Sequence, residues 1–286
     1  MSQLAAGIQN VNPARTKALV VPREHGAWGL LLVPLVTGAC VGFVQHGRGL
    51  GDLILFLTAA LALFWVRTPF EILVGSSVMR AHTDQEKRII RQSVLALGIC
   101  AAVPLYALLK DGRHAGLLFI AAIAGAAFAT QACVKLFGRE MRMPAQIIGA
   151  IGLTSTSAGA YYILTDRLDS LAMALWLASW LFAGDQIHFV HVRLNGAKLQ
   201  GVRNRFHRSW VFLLGQVAML ATVVLIGLWG VLPIFAVVAF LPVAIRGMIW
   251  VFGRRNVLDL QWLGITELLH SITFGVLLIT SFYVPR

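Results

Sequence analysis

The sequence is poor in charge. Only 13% of its 286 residues are Asp, Glu, Lys or Arg, against about 25% in a soluble globular domain, and this excludes an ordinary water-soluble fold. Acids are the scarcer sign: 12 Asp and Glu stand against 24 Lys and Arg. The three cysteines, Cys40, Cys100 and Cys133, have no metal-ligand spacing. Lying in apolar stretches, they are expected to be small core residues. There is no Walker A loop, no Gly-x-Gly-x-x-Gly opening a βαβ unit and no nucleophile elbow, so nothing points to P-loop, dinucleotide or α/β-hydrolase chemistry. The first twenty residues lack the compact apolar core and cleavage site of a secretory signal. Residues 1–21 are therefore expected to form a flexible cytoplasmic tail.

What the sequence has is apolar length. It is 58% hydrophobic with a mean hydropathy of +0.77, and a membrane crossing needs about 20 apolar residues. Apolar runs fall near 24–44, 53–79, 94–109, 115–134, 145–164, 171–192, 210–229, 231–251 and 263–284. The expected fold class is all-α: a polytopic transmembrane helical bundle of about nine helices, forming a single domain over 22–286. The stretch 80–92 is expected to be a polar loop. His46, His82, His114 and His207 are expected to be solvated loop residues.

The net charge of +12 would suit nucleic acid, but the bases sit in short loops between apolar runs, so no nucleic-acid partner is expected and the lipid bilayer is the expected environment. With the N-terminus inside, the cytoplasmic segments hold 18 of the 24 Lys and Arg and the opposite side holds 5, with Arg67 left inside the second helix. That asymmetry predicts an odd number of crossings, N-terminus in and C-terminus out. Arg246 is counted among the cytoplasmic bases.

Against this apolar background one stretch stands out, Phe182-Ala-Gly-Asp185-Gln-Ile-His188-Phe-Val-His191-Val-Arg193. It puts a carboxylate and two imidazoles on one helical face, at spacings of three. Ionisable groups at membrane depth are costly and by default mark a function. Glu24-His25, Arg67 with Glu71, and Glu267-Leu-Leu-His270 repeat the theme. The predicted topology brings all four sets to similar depth on the cytoplasmic side. Two acid-x-x-His pairs, Asp185/His188 and Glu267/His270, with Glu24 and Glu71 from two other helices, match the ligand count of di-iron carboxylate bundles. Zinc, iron or manganese would suit such donors, and paired histidines on different helices would suit haem. Hydrogen bonding around a substrate head group is the simpler use of the same residues.

The string Pro22-Arg-Glu-His-Gly-Ala-Trp-Gly29, with Asp185-x-x-His188-x-x-His191 and Glu267-x-x-His270, resembles the YwiC-like family of bacterial membrane proteins. That resemblance implies a bacterial inner (cytoplasmic) membrane location and no particular activity. The nine-helix plan, with its long cytoplasmic loops after helices two and six, resembles the UbiA superfamily of intramembrane prenyltransferases. That second resemblance implies a lipid-accessible cavity open to the cytoplasm, with a prenyl diphosphate held through Mg²⁺ by acidic motifs on helices two and six. Glu71 alone stands for the first motif, and Asp185 with histidines at 188 and 191 for the second. Hard Mg²⁺ prefers oxygen ligands, so the fold is carried over more readily than the chemistry.

The expected site thus has Asp185, His188, Glu71 and His270 as catalytic groups. Arg67, His191, Arg193 and Lys198 would bind substrate. Glu24, His25, Asp185, His188, Glu267 and His270 are the candidate metal ligands, for Mg, Fe, Zn or Mn. The expected function is an enzyme of UbiA-like build acting on an isoprenoid or other lipid-soluble substrate. The alternatives are an iron- or haem-dependent redox or metal-binding protein, and a non-enzymatic carrier or accessory subunit.

Overall fold

The computed structural model describes residues 13–21, 25–45, 47–75, 77, 79–196, 201–253 and 258–284. Among the described residues eleven α-helices run in order: α1 (Pro13–Val20), α2 (His25–Val44), α3 (Leu50–Val74), α4 (Asp84–Leu109), α5 (Gly116–Leu136), α6 (Arg142–Thr154), α7 (Thr156–Thr165), α8 (Ser170–Gly196), α9 (Val202–Leu228), α10 (Leu241–Phe252) and α11 (Leu260–Ser281). A 3₁₀ turn, Arg139–Met141, precedes α6, and a 3₁₀ stretch, Ile234–Phe240, leads into α10. Among the described residues there is no strand.

Among the described residues, eight segments are long and apolar enough to cross a membrane: α2, α3, α4, α5, α6 with α7, α9, the 3₁₀ stretch with α10, and α11. Helix α8 is the ninth long helix. Its 27 residues reach about 40 Å at 1.5 Å per residue, and its polar turn at Asp185 to His188 dilutes its hydropathy. The protein is a multi-pass membrane protein, as its apolar runs predict.

Burial sorts the helices. The α6–α7 span and α2 have most of their surface inside the protein, whereas α4, α5, α9 and α11 leave most of theirs outside. The outward residues are Leu, Ile, Val, Phe and Trp, such as Leu95, Ile99, Val103, Leu118 and Val217, which suits a lipid-facing wall. Helix α8 packs on α2, α6, α7, α9 and α10, while α3 pairs chiefly with α4 and α7. The main core lies between α2, α7, α8 and α11, where Phe182 stacks on Phe274 at 4.1 Å.

Close backbone approach sets the centre. A Cβ on Gly38 of α2 would lie 2.0 Å from the Ser157 carbonyl oxygen of α7, so only glycine lets these helices touch. The hydroxyl run Thr154 to Ser157 is where α6 gives way to α7. Each hydroxyl there finds a carbonyl: Thr156 Oγ1 donates across to Leu31 O at 3.0 Å, and Thr154 Oγ1 to Ala150 O at 2.7 Å. Two indoles of α8 brace the same span, Trp176 to Ile151 O and Trp180 to Ile147 O.

Several expectations change here. Residues 13–20 are not a loose tail: α1 buries Leu19 against Ile72 and Ile90, and Arg15 Nε donates to Glu86 at 2.6 Å. The polar stretch after 83 is helix, because Thr83 and Glu86 form a capping box at the start of α4. Cys100 and Cys133 are exposed on the outer wall rather than in the core, and Cys40 is half-buried. His114 is buried at the α4–α5 turn, 3.4 Å from Asp52 and 2.9 Å from Asp166. His207 is exposed on α9, His82 is exposed just ahead of α4, and His46 lies outside the described residues.

Candidate functional site

Three helices deliver charges to one place. Asp185 faces inward from α8 and Glu267 from the second turn of α11, and both are buried. Arg246 of α10 stands between them. Its Nη2 donates to Asp185 Oδ2 at 2.9 Å, its Nη1 donates to Glu267 Oε2, and its guanidinium carbon lies 3.9 Å from the centre of the Phe189 ring. A planar guanidinium suits this place, because it can bond two carboxylates and stack on an aromatic face at once.

Amides complete the assembly. Gln216 of α9 donates to Asp185 Oδ1 and to Val243 O, each at 3.1 Å. It reaches them across Gly247 of α10, where a Cβ would lie 2.6 Å from the amide. Gln186 donates to Glu267 O at 2.7 Å and accepts from Ser271 Oγ at 3.1 Å. Arg205 ties α9 to the end of α10 by donating to Trp250 O and Gly253 O, at 3.0 and 2.7 Å. Glu267 Oε1 and Arg246 Nε are buried without a hydrogen-bond partner among the described residues.

This polar floor borders a cleft of about 440 Å³ between α8, α10 and α11. Aromatic rings Phe189, Trp250 and Trp262, aliphatic residues such as Ile245 and Leu263, and polar groups from Arg193, Asp259, Thr266 and His270 line it with Arg246. His270 Nδ1 lies 2.7 Å from Thr266 O. A carbonyl only accepts, so Nδ1 carries the hydrogen, and Nε2 is left as the basic atom of the neutral ring. Among the described residues Arg193 makes no ion pair, though it feels the charge of Glu267.

The structure brings Asp185, Glu267, His270 and Arg193 into this neighbourhood and takes other expected members elsewhere. His188 packs edge-on against Phe212, ring centres 5.3 Å apart, and lines a separate crevice between α6, α8 and α9. His191 follows His188 by three residues on α8 and does not line the cleft. Glu71 belongs to a different cluster, 3.1 Å from Arg67 and 2.8 Å from Lys135 of α5. Glu24 and Lys198 lie outside the described residues, as does the side chain of His25. Among the described residues no group of three or more His, Cys, Asp or Glu side chains is placed to hold a metal ion. The two acids expected as ligands close on a guanidinium instead.

Sequence reading missed Arg246, Gln216, Gln186 and Ser271. Arg246 carried a signal, since it is a lone arginine in an apolar run, as Asp185 is a lone aspartate. The loop-charge count absorbed it.

No curated protein and no solved structure matches the chain. Residues 21–162 match the model of the YwiC-like protein family. That segment runs from the start of α2 through most of α7 and contains the Arg-Glu-His-Gly-Ala-Trp string. Over that segment the chain is similar to the YwiC-like protein family.

Proposed function

We propose that the protein is an integral membrane enzyme that binds a lipid-soluble substrate, isoprenoid or similar, in the cleft between α8, α10 and α11. The observation that carries this reading is the joining of Asp185, Arg246 and Glu267 beneath a cleft walled by Trp250 and Trp262. Apolar pockets with a few convergent polar groups are the usual form of small-molecule sites. Here the apolar wall suits the body of the substrate and the polar floor its head group.

The charge balance favours a small head group over a diphosphate. Arg246 already bonds two carboxylates, Asp259 adds a third near the rim, and Arg193 feels Glu267 without an ion pair among the described residues. A Mg²⁺-diphosphate held by Glu71 and Asp185 is not supported, because each of those acids is committed to a separate cation. In this reading Arg193 holds a head-group oxygen. His270 Nε2 takes the proton from a head-group hydroxyl, and Asp185, Arg246 and Glu267 keep the cleft floor rigid. The bundle is placed in the bacterial cytoplasmic membrane with the cleft facing inward. The support is the excess of Lys and Arg in the segments at that end.

The test is binding and turnover in nanodiscs with three probes: an isoprenoid alcohol, an isoprenoid quinone and an isoprenoid diphosphate. The alcohol or the quinone is expected to raise the melting temperature of wild-type protein and not of Trp262→Ala. Loss of a positioned base lowers turnover by about 10²–10⁴-fold, so His270→Ala should bind and fail to convert. Tightest binding of the diphosphate, dependent on Mg²⁺ and lost in Glu71→Gln, would overturn the assignment of the cleft. Binding with no conversion of any probe in wild type would favour the carrier reading.

A further inference from the structure

On the other side of α8 lies a second crevice of about 180 Å³, between α6, α8 and α9. Its wall is Trp180, Leu181, Phe212 and Met219, and its polar end is Asp185 and His188. Two glycines form its floor, Gly184 of α8 and Gly215 of α9. A Cβ on either would meet nothing within 4 Å, so this space does not exist to let helices touch. It differs in that respect from the sites at Gly38 and Gly247, where a Cβ would collide. Both oxygens of Asp185 are already bonded, one to Gln216 and one to Arg246. His188 has no hydrogen-bond partner among the described residues, and Phe212 braces its ring. The crevice therefore offers an apolar channel, one open imidazole and no uncompensated charge.

We propose that this crevice is a second binding site, for a single-chain amphiphile whose uncharged hydroxyl or carbonyl end hydrogen-bonds to His188 while its chain lies over Gly184 and Gly215. The argument for this occupant is the mismatch of the pocket with bulk phospholipid. A charged head group would find no free counter-charge, and a space of about 180 Å³ is small for anything bulkier than a length of single chain. A neutral imidazole both donates and accepts, which matches a hydroxyl or a carbonyl. The two linings share no residue, and Asp185, which lines this crevice, reaches the cleft through its bond to Arg246.

The probe is a long-chain alcohol carrying a photoreactive diazirine, added to the full-length protein in nanodiscs and mapped by mass spectrometry after irradiation. Labelling is expected to concentrate on the α8 and α9 peptides around Trp180 and Met219. Gly184→Leu and Gly215→Leu fill the floor and are expected to weaken it at least about tenfold. Gly125→Leu, at another open glycine on the outer wall, should leave it unchanged. His188→Ala should weaken capture of the alcohol and leave capture of the matching hydrocarbon unaltered. Thermal unfolding of each variant checks that the bundle is intact. Labelling spread evenly over the outward helices, or equal in wild type and Gly184→Leu, overturns the proposal. Trp262→Ala, which tests the cleft, should leave labelling here intact, so the two sites fail or stand separately.

Discussion

Arg246 is the residue on which two buried carboxylates depend. Removing one partner of a buried ionic group leaves an uncompensated charge and costs about 3–5 kcal/mol, whereas replacing the whole group by apolar residues is often neutral. Arg246→Met is therefore expected to destabilise the protein by about that amount. Asp185→Leu with Arg246→Met and Glu267→Leu should recover most of the loss, as read by thermal unfolding in detergent. Gly247→Ala is a subtler probe, because its methyl would occupy the place of the Gln216 amide. Orphaning a buried carboxylate oxygen costs about 1–3 kcal/mol, so Gly247→Ala should lower stability by that order, and Gln216→Leu by a similar amount. At this scale the sequence was informative about which acids matter and silent about their partner. Asp185 and Glu267 stood out because nothing else in their runs is charged. Glutamines 186 and 216 did not, since a neutral amide in an apolar run carries no comparable signal. His188 and His270 share the acid-x-x-His spacing, yet they face different cavities. Spacing fixes a side chain's position around its own helix and leaves the neighbouring helix undetermined.

Helix ends decide two further features. Glu86 of α4 accepts from Arg15 Nε, from His82 N and from Thr83 N, so it holds α1 and caps α4 together. Glu86→Ala should cost about 1–2 kcal/mol through the lost cap. It should also open residues 13–20 to limited proteolysis before the rest of the protein, whereas wild type resists. Arg205 does the matching work on the other half by holding the last carbonyls of α10. Element existence was legible throughout: every apolar run of the sequence carries an α-helix, although the run 231–251 opens with a 3₁₀ stretch. Boundaries were less so. The capping box begins α4 at Asp84, ten residues ahead of the apolar run, because helix propensity and caps extend a helix beyond the segment that lipid selects. The break between α6 and α7 was likewise hidden, since Thr154 to Ser157 read only as a hydroxyl patch.

For the whole molecule, the outer wall and the interior divide as membrane burial demands. The interior is built on glycine contacts and bonded hydroxyls, and the outer face on large apolar side chains. The distribution of Lys and Arg predicts the topology. Reporter fusions after residues 80–83 and 197–200 are expected to be active only in their cytoplasmic form, and fusions at 110–113 and 166–169 only in their external form; the reverse pattern would invert the bundle. The bundle and its multi-pass character were legible because hydropathy acts over whole helices. The site was legible only in part because three of its helices, α8, α10 and α11, converge through packing that no local pattern encodes. The most direct test of the central claim, that the cleft above Asp185, Arg246 and Glu267 binds a lipid-soluble molecule, is photocrosslinking in native membranes. Benzoylphenylalanine would be placed at position 262 in the cleft and at position 65 on the outer wall. The account predicts a defined small-molecule adduct at 262 that is absent at 65 and is lost on Arg193→Ala. Identical phospholipid adducts at both positions, unaffected by Arg193→Ala, would contradict it.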